Sequence, residues 1–422
     1  MKYSKLAWGA IALAAGLGLG ACGGGSGGGS TSAAGNTTVG VITGFGSVYV
    51  NGCEYETDSA SIYVEGTSAS EDDLSVGDVV EITGPANCTR ASASHIKSSD
   101  ELEGWVDSVA LDANGIGTMV VMGQTVTTTD MTTFEDDSYS GITMATIAAN
   151  NVVEIHGYTS DQGTVLATRV EVKAVSLAGY LGELELKGVV QNLNVSPGTF
   201  DIGALNINYT ALSPSFTLTN NLFVEVKFNN SKSPISIEIE DDGKLGYHGD
   251  NDDEIEIYGV LAAALVSNEF MLGDIKVQVN NTTEFKEEDN AQQTLQSIIS
   301  DGTNIGKVYL EVEGHFANGV LIAESVEFED DTSDNNECKG TVSNLTPVVG
   351  EMNQGTLTVN ASSIANCEGQ SSMTATIANS TMMEDDSVAD VSKFNLTHLN
   401  DGDMVEVYVD PTTGIAIKLE RK

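Results

Sequence analysis

From about residue 38 onward, apolar and polar residues alternate with the two-residue period of half-buried strands, broken by short polar turns rich in Gly, Asn and Asp. One stretch returns five times. It reads Val76-Gly77-Asp78-Val79-Val80-Glu81-Ile82-Thr83-Gly84, then Asn150-Asn151-Val152-Val153-Glu154-Ile155-His156-Gly157, then Leu222-Phe223-Val224-Glu225-Val226. The last two copies are Gly306-Lys307-Val308-Tyr309-Leu310-Glu311-Val312-Glu313-Gly314 and Asp401-Gly402-Asp403-Met404-Val405-Glu406-Val407. In each, a polar turn passes into an apolar–Glu–apolar strand, and the glutamates are 73, 71, 86 and 95 residues apart. Because Glu81, Glu154, Glu225, Glu311 and Glu406 lie between apolar neighbours, they are expected on the outward face of their strands, not in a catalytic cleft.

Around each copy the pattern predicts strand, strand, strand, short helix, strand, strand. In unit one, Val39 and Val41, Val48 and Val50, Tyr55, and Ile62 and Val64 alternate, with Asn51-Gly52 as a hairpin turn. Unit two has a turn at Met122-Gly123-Gln124 and a helix-like piece around Ile142 to Ala148. In unit three the linking segment, with Pro214, reads as too extended for a helix. In unit four, Leu295, Ile298 and Ile299 fall at i, i+3, i+4. This order is that of the OB-type barrel. The expected fold is therefore all-β: about five tandem small five-stranded OB-like barrels with short helices. The units run 38–103, 104–180, 181–240 (divergent), 255–331 and 332–422, with 241–254 as an acidic linker.

The pattern also resembles domain-of-unknown-function family 5666, an uncharacterised module found in bacterial lipoproteins, often in tandem. The residues carrying the likeness are Gly104-Trp105-Val106 and Gly340-Thr341-Val342, Gly44-Phe45-Gly46-Ser47-Val48-Tyr49-Val50-Asn51-Gly52, and the Val-Gly-Asp-x-Val-Glu stretch at 76–81. The resemblance is close over unit one, fair over units two, four and five, and poor over unit three. It implies an architecture and brings no activity.

Residues 1–37 change the picture from a fold to an address. Lys2 and Lys5, an apolar run from Leu6 to Leu19, and Leu19-Gly20-Ala21-Cys22 describe an export signal over 1–21. The last four residues resemble the lipobox of bacterial lipoproteins, which implies cleavage before Cys22 and lipid on its sulfur. Ordinary secretion with a free Cys22 is the alternative. Gly23 follows the cysteine, not the aspartate that retains many lipoproteins at an inner membrane, so an outer membrane is expected if the cell has two. Residues 22–37 are nearly all Gly, Ser, Thr and Ala, a flexible tether.

With 61 acidic residues against 18 basic, the net charge is −43. Such a chain repels polyanions, which argues against a nucleic-acid partner. Apart from Cys22 there are four cysteines. Export favours disulfides, and pairing within units is expected, Cys53 with Cys88 and Cys338 with Cys367, although sequence alone permits three connectivities. A four-thiolate metal site lacks any Cys-x-x-Cys spacing.

Acidic triplets at Glu71–Asp73, Glu135–Asp137 and Glu384–Asp386 precede the third-to-fourth connection, where they suit the positive end of a short helix. In the linker, Asp241, Asp242, Asp250, Asp252, Asp253 and Glu254 place hard oxygens in a Gly-rich loop that can hold Ca²⁺ but lacks the spacing of known calcium loops. A solvated linker is the plain alternative, and no other cofactor is implied. His95, His156, His248, His315 and His398 share no metal-ligand spacing, and His156 and His315 read as ordinary barrel-end side chains. The expectation is a non-enzymatic envelope protein, anchored to a membrane through its N-terminal lipid, with glycan or envelope-protein partners. A calcium-dependent module and an enzyme acting on envelope polymers are the alternatives.

Overall fold

The computed structural model describes residues 37–84, 90–111, 117–129, 131–136, 142–159, 164–239, 254–272, 275–286, 294–304, 308–317, 320–329, 336–363, 367, 369–387, 391, 393–409 and 414–422. These residues are overwhelmingly β, and each repeated stretch forms a strand: Val79–Thr83, Val152–Thr159, Phe223–Phe228, Tyr309–Ala317 and Met404–Val409. Asn51 and Gly52 both take positive φ, 50° and 69°, as the expected two-residue hairpin demands. Met122 and Gly123 do the same at 48° and 74°. Cys22 and residues 241–253 lie outside the described residues, as does the side chain of Glu254.

Unit two shows the wiring. Leu102–Leu111 pairs antiparallel with both Gly117–Val121 and Val152–Thr159. Gln124–Thr127 pairs antiparallel with Gly117–Val121 and parallel with Val165–Ala174, which pairs antiparallel with Val152–Thr159. Unit four repeats these pairings with Glu254–Val266, Glu269–Leu272, Ile275–Gln278, Tyr309–Ala317 and Val320–Glu329.

Between third and fourth strands, among the described residues, the predicted helix forms as α-helix only at Leu295–Ser300, capped by Thr294 and burying Leu295 and Ile299. Unit one has a 3₁₀ turn at Glu71–Asp73 and unit five one at Leu396–His398. The helix expected around Ile142 to Ala148 is instead a run of turns at Met144, Ala145 and Thr146. Among the described residues no helix is long and apolar enough to cross a membrane.

The expectation of separate closed barrels is corrected by the sheets and the cores, which run on from unit to unit as they do in a β-solenoid. A 14-stranded sheet joins units one and four through Thr38↔Glu254 and Val39↔Ile255, and a 9-stranded sheet joins units two and three through Leu102↔Leu186. Buried apolar residues form three clusters: one spans Val39 to Ile96 and Ile257 to Val326, one spans Leu102 to Ile237, and one belongs to unit five. Units of under 100 residues bury too small a fraction of their surface to be comfortable alone, and sharing a core removes that deficit.

Unit one touches every other unit. Thr168 donates to the Gly77 carbonyl at 2.6 Å and Thr133 to that of Val76 at 3.2 Å, from unit two. The Lys187 ammonium of unit three lies 2.7 Å from Glu65. From unit five, Lys393 pairs with Glu71 at 3.0 Å and sits 5.3 Å from the Phe45 ring centroid, while Asn353 donates to the Phe45 carbonyl at 3.4 Å. Gly77 shows why the repeated turn needs glycine here. Its φ is +93°, and an added Cβ would come within 2.4 Å of Thr133 Oγ1 and 2.9 Å of Arg169 Cβ.

Cys338 and Cys367 form a disulfide across a separation of 29 residues, both ends buried. Cys53 is buried and disulfide-bonded, while Cys88 lies outside the described residues. Replacing Cys338 and Cys367 together with serine is expected to lower stability by about 3–4 kcal/mol in the chain-entropy account. Urea unfolding of the double variant measures this, and a loss under about 1 kcal/mol would mean that the unfolded chain is already confined.

Candidate functional site: a buried carboxylate cluster where three units meet

The outward-facing glutamates acquire their surroundings from neighbouring strands. Glu81 stands beside Lys97 in register, and their charged groups are 3.2 Å apart. Glu406 stands beside Lys339 at 2.9 Å, and Glu225 faces Lys187 in register, with Lys227 of its own strand at 3.0 Å. Unit two has an acid where units three and five have that lysine: Glu154 faces Glu103 on one side and Glu171 on the other. Its cations come from further along the last strand. Arg169 lies 3.2 Å from Glu154, 2.6 Å from Glu171 and 2.7 Å from Glu135, and it reaches across to Asp78 of unit one at 3.4 Å. Lys173 closes the row at 3.1 Å from both Glu154 and Glu171.

His156 belongs to this junction. It is buried, with Nε2 at 3.2 Å from Glu154 and 3.4 Å from Asp78, so the ordinary barrel-end reading of this residue is corrected. The sequence placed His156 two residues from Glu154 on one strand face, but Asp78 approaches from another unit. His315 pairs with Glu324 at 3.1 Å on a more open surface. The acidic triplets divide. Asp73 accepts from the backbone N–H and hydroxyl of Ser70, both at 2.8 Å, which is the expected cap. Glu135, Glu384 and Asp385 are strand residues instead, held by Arg169, by Lys418 at 3.0 Å and by Arg421 respectively.

Among the described residues, two carboxylate triads are close enough to hold an ion, each with oxygens within 4.8 Å of one another: Glu65, Asp100 and Glu185, and Asp100, Glu103 and Glu154. In the first, the chain supplies the cation. Lys187 Nζ lies 2.7 Å from Glu65, 3.1 Å from Asp100 and 3.4 Å from Glu185, and also donates to the Ser99 hydroxyl at 2.6 Å. In the second, Glu103 accepts from the Tyr180 hydroxyl, and Glu154 is engaged by His156 and Arg169. Neither triad presents a set of uncommitted oxygens, so the cluster fits a bound metal poorly. The linker acids from Asp241 to Asp253 lie outside the described residues.

Acids outnumber the cations here, and burial raises their proton affinity. Burial pushes Glu101 up to about 7 against the hydrogen bond from Thr159. Burial likewise pushes Glu103 up to about 7 against the hydrogen bond from Tyr180. Burial, then a hydrogen bond and repulsion from Glu185, push Glu225 up to about 7. Burial holds Asp100 well above the usual range although Lys187 opposes it. Glu154 goes the other way: burial alone would raise it, but His156, Arg169 and Lys173 together hold it below the usual range.

The sign of the pH dependence follows. Glu101, Glu103 and Glu225 bind their protons more tightly folded than unfolded, so their stabilisation is full below about 4.5 and is lost as pH rises through about 7. Each contributes a slope of up to ~1.4 kcal/mol per pH unit in that window. The melting temperature is expected to fall between pH 5.5 and 8, less so in Glu103→Gln. A flat or rising profile would show that water reaches these carboxyls.

The chain is thus an all-β repeat protein whose units are joined through buried ion pairs. Three of its segments, 38–96, 103–171 and 258–327, match the family described as "Domain of unknown function (DUF5666)". The three matched segments, in units one, two and four, indicate tandem repeats of that domain. No curated protein matches the chain.

Proposed function

We propose that the chain is a non-enzymatic, lipid-anchored cell-envelope protein displaying β-modules of OB type as a binding or spacer head. The observation that supports this reading is the contact of unit one with every other unit, which ties the modules together. The strand pairing supports the OB assignment: in units two and four the first strand meets the second and fourth while the third meets the fifth, the order of that barrel.

OB-type modules take oligosaccharides, peptides or nucleic acid on one face, and a net charge of −43 disfavours the last. Against catalysis stands the engagement of the clustered acids by Lys187, Arg169, Lys173 and Tyr180. Anchoring rests on Leu19-Gly20-Ala21-Cys22, and an outer membrane, in a two-membrane cell, on Gly23.

The test is affinity capture from envelope extracts on the immobilised chain at several salt concentrations, with soluble glycans as competitors. Recovery of one partner, displaced by one glycan class or by none, supports display for binding. Recovery of nothing at any salt removes the binding role and leaves a spacer. Metabolic labelling with a fatty acid, lost in Cys22→Ala, tests the anchor.

A further inference from the structure

Unit three departs from its siblings at one pairing. In units one, two and four the third strand meets the fifth in parallel, at Glu54↔Arg90, Val126↔Val165 and Val277↔Leu321, and unit five makes the parallel bridge Thr376↔Ile415. In unit three, all of whose residues from Glu185 to Ile239 are described, this pairing is missing. Leu205–Asn208 ends a 3-stranded sheet, and Pro234–Ile239 ends the 9-stranded sheet. The break coincides with a segment that the family match passes over.

A free edge is normally blunted by lysine, inward-pointing charge or a bulge, because its unpaired N–H and C=O groups invite another strand. Proline serves the same end, but Pro234 and a bulge at Ile235 both sit at the start of this strand, where they leave the donors beyond them untouched. The apolar face is also unfinished. Ile237 is buried in the core shared by units two and three, but Ile239, two residues on along the same face, is 42 % exposed, and Ile235, at the bulge, is 55 % exposed. A strand laid alongside would complete the backbone ladder and cover both isoleucines with its own alternate side chains.

We propose that unit three is a strand-acceptor site: an extended, basic segment of a partner polypeptide adds along the edge of Pro234–Ile239 that no other described strand occupies, in the place that the sibling units fill with their own third strand. Main-chain hydrogen bonds supply the affinity, and apolar residues at every second position supply the fit. Charge selects the rest of the sequence. Glu238 is exposed on this strand and the chain as a whole carries −43, so lysine or arginine at the intervening positions is favoured. The same charge opposes edge-to-edge pairing of two copies. This edge takes no part in anchoring or displaying the modules.

The probe is a labelled peptide of alternating lysine and valine, titrated with the full chain at ~0.15 M salt to damp unspecific attraction, with anisotropy as readout. The control peptide carries the same charge with proline replacing every second valine, which removes backbone donors. We expect the alternating peptide to bind at least about ten-fold more tightly than the control, and the Ile235→Thr/Ile239→Thr variant to lose about that factor. The variant keeps charge and strand propensity at two exposed positions, so an unchanged melting curve confirms that it folds. Equal affinity for both peptides, or an unaffected variant, overturns the proposal. So does a dimer in sedimentation that disappears in the variant while the peptide fails to bind, since the edge would then belong to a second copy.

Discussion

Replacing Arg169 with methionine is expected to lower folding stability by about 3–5 kcal/mol, because the change strands several buried carboxylates with no counter-charge. The side chain is only 6 % exposed, and its guanidinium holds Glu171, Glu135, Glu154 and Asp78 at 2.6, 2.7, 3.2 and 3.4 Å. No other side chain in the junction has a planar fork able to face that many oxygens at once, so Arg169→Lys is expected to recover only part of the loss. Because Asp78 belongs to unit one, the variant should also loosen the contact between units one and two. Urea unfolding gives the energy, and limited proteolysis gives the loosening. A loss under about 1 kcal/mol in Arg169→Met would mean that the carboxylates are solvated and the junction is not held by charge.

Lys187→Met is the second large effect, about 3–5 kcal/mol at pH 8, and it carries its own internal check. The side chain is 3 % exposed and has Glu65, Asp100 and Glu185 around it. Burial already raises Asp100, so without the ammonium this carboxyl should take up a proton as pH falls. The penalty is therefore expected to shrink at pH 5.5, and Asp100→Asn added to Lys187→Met should restore part of the stability at pH 8. A penalty independent of pH, with no rescue by Asp100→Asn, would assign the loss to packing of the lysine stem.

The strands and turns of this fold were readable from the sequence because their causes are local. The alternation around Glu81 or Glu406 reports which face is buried, and Asn51-Gly52 dictates its hairpin whatever lies beyond. The cluster was not readable, because its causes are distant. Lys187 meets Glu65 across 122 residues and Thr168 meets Gly77 across 91. A lysine in a polar strand looks like a solvated side chain until another unit closes over it. One signal did exist. With 18 basic residues among 61 acids, any cation inside an alternating strand, such as Arg169 and Lys173 in Thr168-Arg169-Val170-Glu171-Val172-Lys173, is a place to look for a charge network. The sharing of cores was hidden for a similar reason: periodicity says that a face is covered, never by what.

The position of unit one also sets the timing of folding. Its Phe45 carbonyl accepts from Asn395, 350 residues downstream, and its first strand pairs with Glu254. Translation makes these residues well before their partners, and distant pairings of this kind form slowly. The module synthesised earliest thus waits longest for its surroundings, so a nascent chain arrested before Asn395 should expose it to proteases and chaperones.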